Sequence, residues 1–122
     1  MAIPVVHRTY SLERTYPAPP ARVFAAFADP ATKRRWFAEG EGWEVDEYTL
    51  DFRVGGIERV RFRSVGGAPL RYNDTLFLDI VPDERIVCAY VLTTGEVRTS
   101  AALTTVELVA DGGGTRLLRA VG

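Results

Sequence analysis

The strongest constraint on this 122-residue chain is an alternation of apolar and polar side chains over residues 43–121. The alternation is divided into six runs by short segments such as residues 55–56, 82–84 and 111–114, which are rich in glycine, proline or aspartate. A period of two predicts β-strands with one buried face, and tight turns between strands predict antiparallel pairing. Residues 43–121 are therefore predicted to form six consecutive antiparallel strands, among them one over residues 43–54, one over residues 71–81 and one over residues 101–110.

One further strand and two short helices are predicted before these six strands. Residues 8–15 alternate in the same way, and the prolines that follow cannot continue a strand ladder. Apolar side chains at helical spacing predict a helix over residues 21–28. Asp29 before Pro30 is a favourable helix cap, which predicts a second helix over residues 31–37. Two helices cannot cover seven strands, so we expect a curved sheet with one inner face.

Composition excludes several classes of function. Fifteen basic and sixteen acidic residues give a net charge of −1, which offers no electrostatic support for nucleic-acid binding. Cys88 is the single cysteine, which excludes an internal disulfide and a thiol-rich metal site. His7 is the single histidine and lies among the first residues, where chains usually fray. We therefore expect no nucleic-acid partner, no metal and no cofactor.

The sequence also gives an expectation for cellular location. The N-terminus lacks a basic segment followed by a long apolar run, and no stretch approaches the ~20 apolar residues of a membrane span. We expect a cytoplasmic protein with no membrane partner. Lys33 is the only lysine among the basic residues, and we interpret this bias towards arginine as the composition of a GC-rich bacterial genome.

Three groups of residues resemble one known family. They are Pro-Ala-Arg-Val-Phe-Ala-Ala-Phe at residues 20–27 with Asp-Pro and Arg-Trp-Phe soon after it, Asp-Phe-Arg-Val-Gly-Gly at residues 51–56, and Thr-Val-Glu-Leu at residues 105–108 with Gly-Gly-Gly-Thr-Arg-Leu at residues 112–117. In this order the chain resembles the START-like (SRPBCC, helix-grip) superfamily. Within it, the chain resembles the branch of homologues of the activator of the heat-shock protein 90 ATPase.

The resemblance implies an α+β helix-grip fold, in which a curved antiparallel sheet of about seven strands grips a long C-terminal helix around a cavity. The sequence stops at Gly122, after the last predicted strand, so we interpret residues 1–122 as a single START-like domain truncated after that strand. A helix of ~20 residues would bury several apolar side chains, each worth ~1.5–3 kcal/mol. Several explanations for the absence of this helix stay open: a truncation, an unrecorded segment, a natural feature of the protein, or a homodimer that covers the groove.

Two carboxylates are candidate polar groups of the cavity. Glu58 points to the same face of its predicted strand as the apolar Val60 and Phe62. Asp74 points to the predicted inner face of its own strand. That predicted inner face consists of Tyr72, Leu76, Leu78 and Ile80. A carboxylate on an apolar face needs a partner, and it can act as an acid or base or orient a ligand. We predict that Glu58, Asp74 and Tyr72 converge on one cavity; the alternative is that both carboxylates are solvated.

Aromatic residues supply the other candidates for a cavity lining. Ligand pockets are mostly apolar with a few polar groups, and the alternative for most of these aromatic residues is simple core packing. Cys88 is interpreted as a core residue without an activating base. No residue is assigned a catalytic role. The predicted ligand-binding residues are Trp36, Phe37, Tyr48, Phe52, Glu58, Phe62, Tyr72, Asp74 and Tyr90.

Two charged patterns are interpreted as solvated strand faces. Asp51 and Arg53 point to the same face, either as an ion pair or as a polar anchor at a cavity mouth. Arg59, Arg61 and Arg63 alternate with the apolar residues of their strand and form a basic row. An anionic partner surface is the alternative interpretation of this row.

Three functional hypotheses follow. The first is a non-catalytic protein that binds a small hydrophobic molecule. The second is a cavity enzyme of the cyclase or hydrolase type that uses Glu58 or Asp74 as the acid or base. The third, which comes from the resemblance alone, is a co-chaperone-like protein that stimulates a chaperone ATPase. Likeness of fold does not decide between them.

Overall fold

A computed structural model describes residues 5–66 and 69–122 of the chain. Two helices and one π-helical turn, at Arg34–Ala38, lie between the first and second strands. The helices are α1 (Pro20–Ala28) and α2 (Pro30–Lys33). The strands are β1 (Tyr10–Tyr16), β2 (Trp43–Leu50), β3 (Ile57–Ser64), β4 (Arg71–Val81), β5 (Arg85–Thr94), β6 (Val97–Asp111) and β7 (Gly114–Val121).

All seven strands belong to one curved antiparallel sheet with the order β1-β7-β6-β5-β4-β3-β2. Strands β2 to β7 follow one another as hairpins, and β1 pairs with β7 at the other edge of the sheet. The predicted α+β helix-grip architecture, with two short helices after the first strand, is confirmed. Within the described residues no long helix follows β7.

Most predicted strand boundaries agree with the structure to within two residues, and two differences are larger. Strand β4 matches its predicted range at both ends, whereas β6 begins at Val97, four residues before the predicted start at residue 101. Strand β2 ends at Leu50, so Phe52 and Val54 lie outside the strand in which their alternation placed them. The alternation continues into this segment because the Phe52 side chain still faces the core and packs against its buried residues.

The second predicted helix is divided. Helix α2 has only four residues, and the π-helical turn continues from it. Asp29 caps α2 as predicted, since its carboxylate accepts a hydrogen bond from the backbone N–H of Thr32 at 3.0 Å. The hydroxyl and backbone N–H of Thr32 hold the pKa of Asp29 below its usual value. The indole N–H of Trp36 donates to the carbonyl of Ala26 at 2.9 Å, which ties the π-helical turn to α1.

The predicted inner face of β4 is wrong except at Ile80. Thr75 and Phe77 are the buried residues of this strand, whereas Leu76 and Leu78 are 41% and 45% exposed on the convex face. Strand β4 carries apolar side chains on both faces, so alternation alone does not decide which face is buried. A bulge between Phe77 and Asp79 then returns Ile80 to the inner side, where it packs against the core.

The core lies between the concave face of the sheet and α1. Val23 of α1 packs against a cluster of buried residues from β4 to β7, namely Phe77, Ile86, Val106, Leu108 and Leu117. The hydroxyl of Thr115 on β7 donates to the carbonyl of Ala18 at 2.6 Å. This bond holds the segment before α1 against the sheet, which fixes the helix at one end of the concave face.

The turn between β2 and β3 is anchored to the neighbouring strand. The backbone N–H of Gly55 donates to the carbonyl of Phe77 at 2.8 Å, and the N–H of Phe77 donates to the carbonyl of Gly56 at 3.0 Å. A Cβ atom at Gly56 would collide with the carbonyl oxygen of Asp51 and lie 3.0 Å from that of Arg53. The turn therefore requires glycine at residue 56.

Gly56→Ala is expected to lower the free energy of unfolding by about 2 kcal/mol or more, because backbone atoms must move to admit the methyl group. Urea unfolding followed by circular dichroism measures the effect. Gly40→Ala is the matched control, since the added Cβ would make only an ordinary contact with Trp43. A Gly56→Ala variant as stable as the Gly40→Ala variant would contradict this account of the turn.

Candidate functional site

A cavity of about 180 Å³ opens between the concave face of the sheet and the helical segment. Strands β3 to β7 form its floor, and α1, α2 and the π-helical turn form one side. Its apolar lining consists of Phe27, Trp36, Phe37, Phe52, Phe77, Ile86, Cys88, Tyr90, Leu92 and Val106. Its polar lining consists of Lys33, Glu58, Asn73, Thr75, Thr104 and Arg119.

A buried ion pair joins the helical segment to the sheet at this cavity. The Nζ atom of Lys33, at the end of α2, lies 3.1 Å from Oε1 of Glu58 on β3. Lys33 is 6% exposed and Glu58 is 1% exposed. Burial lowers the pKa of Lys33 below its usual value, and the adjacent Glu58 carboxylate opposes that shift. Each charge depends on the other, because an isolated charge at this depth is strongly disfavoured.

The second carboxylate oxygen of Glu58 is also occupied. The hydroxyl of Tyr48 on β2 donates to Oε2 at 2.7 Å. Burial and this hydrogen bond to a carboxylate raise the pKa of Tyr48 well above its usual value. Glu58 therefore accepts one bond from each side, from the helical segment through Lys33 and from the neighbouring strand through Tyr48.

Three aromatic rings surround the ammonium group of Lys33. Its Nζ atom lies 4.5 Å from the ring centroid of Phe37, 5.4 Å from that of Trp36 and 5.8 Å from that of Phe27. Cation–π contacts of this kind stabilise a charged ammonium, and more strongly when water is excluded. The π-helical turn supplies two of these rings and α1 the third.

The sequence did not point to Lys33 as a site residue. It is followed directly by two other basic residues, Arg34 and Arg35, and its partner Glu58 is 25 residues away in the chain. One signal was available: Lys33 is the only lysine among the fifteen basic residues. Arg119 and Thr104 were also missed, because an arginine or threonine in an alternating strand usually lies on the solvated face.

Five of the nine predicted site residues line the cavity: Trp36, Phe37, Phe52, Glu58 and Tyr90. Tyr48 reaches the site through its bond to Glu58. Phe62 lies beside the cavity rather than in it, where its ring packs edge-on against Trp43 at 5.3 Å between centroids. Seven of the nine predicted residues therefore lie in or beside the cavity.

The predicted convergence of Glu58 with Asp74 and Tyr72 is wrong. Asp74 pairs with Arg61 at 2.8 Å, and the Arg61 guanidinium lies 4.6 Å from the ring centroid of Tyr72. Arg61 alternates with the inward-facing Val60, so all three side chains are on the convex face. The inner positions of β4 belong to Asn73 and Thr75 instead.

The other charged patterns lie where the sequence predicted. Asp51 and Arg53 form an exposed ion pair at 2.8 Å, and the row of arginines on β3 is on the convex face. Cys88 faces the cavity and packs against the core; burial raises the pKa of its thiol, which leaves it a poor nucleophile. No cluster of metal-ligating side chains occurs in residues 5–66 or 69–122.

None of the helices in the described part of the chain has the length and hydropathy that crossing a bilayer requires.

Lys33→Met is expected to lower the free energy of unfolding by about 3–5 kcal/mol, because it leaves the Glu58 carboxylate buried without its counter-charge. Lys33→Met combined with Glu58→Gln is expected to recover more than half of that loss. Urea unfolding of the single and double variants measures both effects.

Arg53→Met is the control for this comparison. It breaks an exposed ion pair and is expected to cost less than about 1 kcal/mol. A Lys33→Met variant that is no less stable than Arg53→Met would show that the buried pair does not hold the helical segment to the sheet.

Tyr48→Phe is expected to change how stability depends on pH. The folded protein keeps the Tyr48 proton where the unfolded chain, with its usual pKa of 10.0, has released it. The unfolded state then binds fewer protons, so the stability contributed by the hydroxyl is complete below about pH 9 and declines above about pH 10. The difference in free energy of unfolding between wild type and Tyr48→Phe should therefore shrink at high pH. A difference that is constant to about pH 11 would contradict this.

Comparison with known proteins agrees with this geometry. Residues 17–119 match the family described as activator of Hsp90 ATPase homolog 1-like protein. No curated protein matches the sequence.

Three solved structures illustrate the similarity. The Mll3558 protein of Rhizobium loti is 52% identical with a TM-score of 0.87, over 95% of this chain and 78% of that chain. A protein of Rhizobium leguminosarum is 44% identical with a TM-score of 0.88, over 93% of this chain and 74% of that chain. The CV1439 protein of Chromobacterium violaceum is 28% identical with a TM-score of 0.75, over 94% and 78%.

The family match spans most of the chain, and the seven-stranded sheet with two short helices agrees with the START-like (SRPBCC) fold. This protein belongs to the activator of Hsp90 ATPase homolog 1-like family.

Proposed function

We propose that this protein binds a small hydrophobic molecule in the cavity between the curved sheet and the helical segment, without catalysing a reaction on it. The observation that carries the proposal is the lining itself, in which ten apolar or aromatic side chains surround six polar ones. Ligand sites in proteins have this composition, with the apolar surface giving affinity and a few polar groups giving orientation.

The size of the cavity limits the ligand. Its volume of about 180 Å³ is below the ~300–1,000 Å³ of pockets for drug-sized molecules. An apolar protein cavity of roughly 150 Å³ holds one benzene molecule. A ligand of about one aromatic ring with a small substituent therefore suits this site.

The polar groups favour binding over catalysis. A general acid or base must be within hydrogen-bond reach of the substrate and free to exchange a proton. Both carboxylate oxygens of Glu58 are already bonded, to Lys33 and to Tyr48. The raised pKa of Cys88 leaves its thiol protonated, so it is not an activated nucleophile either.

A cavity enzyme of the cyclase or hydrolase type is the second candidate, and one observation favours it: Glu58 lines the cavity beside a buried ammonium group. Asp74 plays no part in this version, because it lies on the convex face. Unchanged turnover in a Glu58→Gln variant would remove the second candidate.

A co-chaperone-like role is supported only by the description of the family. Failure to capture a chaperone ATPase in a pull-down with the purified protein would argue against it. Three further points stay predictions: a homodimer that covers the concave face, a cytoplasmic location and the interpretation as a single truncated domain. Sedimentation velocity would test the homodimer.

Toluene is expected to bind wild type, and Cys88→Phe is expected to abolish that binding because the new ring occupies the cavity. Titration of ¹⁵N-labelled protein with toluene measures binding through the indole N–H resonance of Trp36, which lines the cavity. Cys88→Ala is the control, since it keeps the cavity open and should retain binding. If toluene moves no resonance of a cavity residue in wild type, the proposed function is wrong.

A further inference from the structure

Three charged side chains line the cavity, and their charges do not balance. Lys33 and Glu58 neutralise each other as a buried pair. Arg119 also lines the cavity, yet it makes no ion pair within residues 5–66 and 69–122. Every aspartate and glutamate of the chain lies in those residues. The cavity wall therefore carries one uncompensated positive charge.

Arg119 is also short of hydrogen-bond partners. Its Nε atom is buried and bonds to no group among the described residues, although it is a donor. The guanidinium extends from β7 on the concave face, since Arg119 lies directly opposite the core residue Val106 of β6. A buried donor without an acceptor is costly, and an acceptor supplied by a ligand would remove that cost.

A second unpartnered polar group lies close to Arg119. The hydroxyl oxygen of Thr104 is buried without a hydrogen bond to any described residue, and Thr104 is only 3% exposed. Thr104 lies opposite Val121 and Val106 lies opposite Arg119, so Thr104 and Arg119 are diagonal neighbours on the same face. Both line the cavity. The two groups together offer hydrogen bonds to one ligand oxygen group.

The rest of the cavity surface decides what that oxygen group is attached to. Apart from these charged groups and a few neutral polar ones, the wall consists of apolar and aromatic side chains, among them Phe77, Cys88 and Tyr90. A cationic ligand would meet two ammonium or guanidinium groups, and a neutral one would leave Arg119 without a counter-charge. A ligand with an anionic group on an apolar ring pairs with the guanidinium of Arg119 and also packs against the apolar side chains.

We infer that the ligand is a small aromatic carboxylic acid, bound as its carboxylate by the guanidinium of Arg119 and the hydroxyl of Thr104, with its ring against the apolar wall. This inference rests on the proposed function and specifies its ligand class. Arginine binds carboxylates through two parallel hydrogen bonds, which fix orientation as well as adding affinity. One ring with a carboxylate also matches a cavity slightly larger than benzene requires.

Three probes of similar size and different charge test the inference. Benzoate, benzamide and benzylamine are titrated separately into ¹⁵N-labelled wild type at pH 7.5, and dissociation constants are taken from the shifts of cavity resonances. Benzoate is expected to bind at least tenfold more tightly than benzamide, and benzylamine more weakly than both. The preference for benzoate over benzamide is the ratio of two dissociation constants measured on the same folded protein, so it does not depend on how a substitution affects folding.

Substitutions then locate the acid-binding group. Arg119→Gln is expected to raise the dissociation constant of benzoate at least tenfold, while that of benzamide changes less than twofold. Thr104→Val should raise the dissociation constant of benzoate by a smaller factor. Arg116→Gln is the matched control, because Arg116 lies on the same strand but is exposed and pairs with Glu13. It should change neither constant. Arg119→Lys keeps the charge without the two parallel bonds and should retain part of the preference.

The outcomes separate the inference from the proposed function. If toluene binds and benzoate binds no more tightly than benzamide, the acidic ligand is wrong and the hydrophobic cavity stands. If neither toluene nor any of the three probes binds, both are wrong. A benzoate preference that survives in both Arg119→Gln and Thr104→Val would also overturn the inference, because the acid would then be held elsewhere.

Discussion

The buried ion pair between Lys33 and Glu58 is the contact on which the site depends. It joins the end of α2 to β3, and Tyr48 extends the same network to β2. The π-helical turn that follows Lys33 places Trp36 and Phe37 around the ammonium group. This electrostatic contact therefore holds the end of the helical segment, and with it the aromatic side of the cavity, against β3.

The sheet from β2 to β7 was predictable from the sequence because its pairing is local, whereas the helix-grip architecture as a whole was implied by the family resemblance. Hairpins join consecutive strands from β2 to β7, and each turn is marked by glycine, proline or aspartate at the point where the alternation stops. Glu58 was placed on the inner face for the same reason, since its strand has one apolar face. No long-range information was needed for these predictions.

The site was only partly predictable, and the residues that were wrong or missed explain why. Strand β4 is apolar on both faces and carries a bulge, so alternation gave the wrong face to Asp74 and Tyr72. Lys33 was missed because its environment is made by residues distant in the chain. Arg119 was missed because nothing in its own strand distinguishes an inward-facing arginine from a solvated one. Which face is inner is decided by packing against the helical segment.

The energetics of the ion pair bear on what the cavity accepts. Removing two charges from water costs about as much as their attraction returns, so a buried pair adds little stability over an apolar pair of equal volume. Its effect on the cavity is different, because it keeps the Glu58 carboxylate neutralised. An unpaired Glu58 would repel an anion and offer Arg119 a competing counter-charge across the cavity. With Lys33 bound to Glu58, the guanidinium of Arg119 is the dominant charge that a ligand meets.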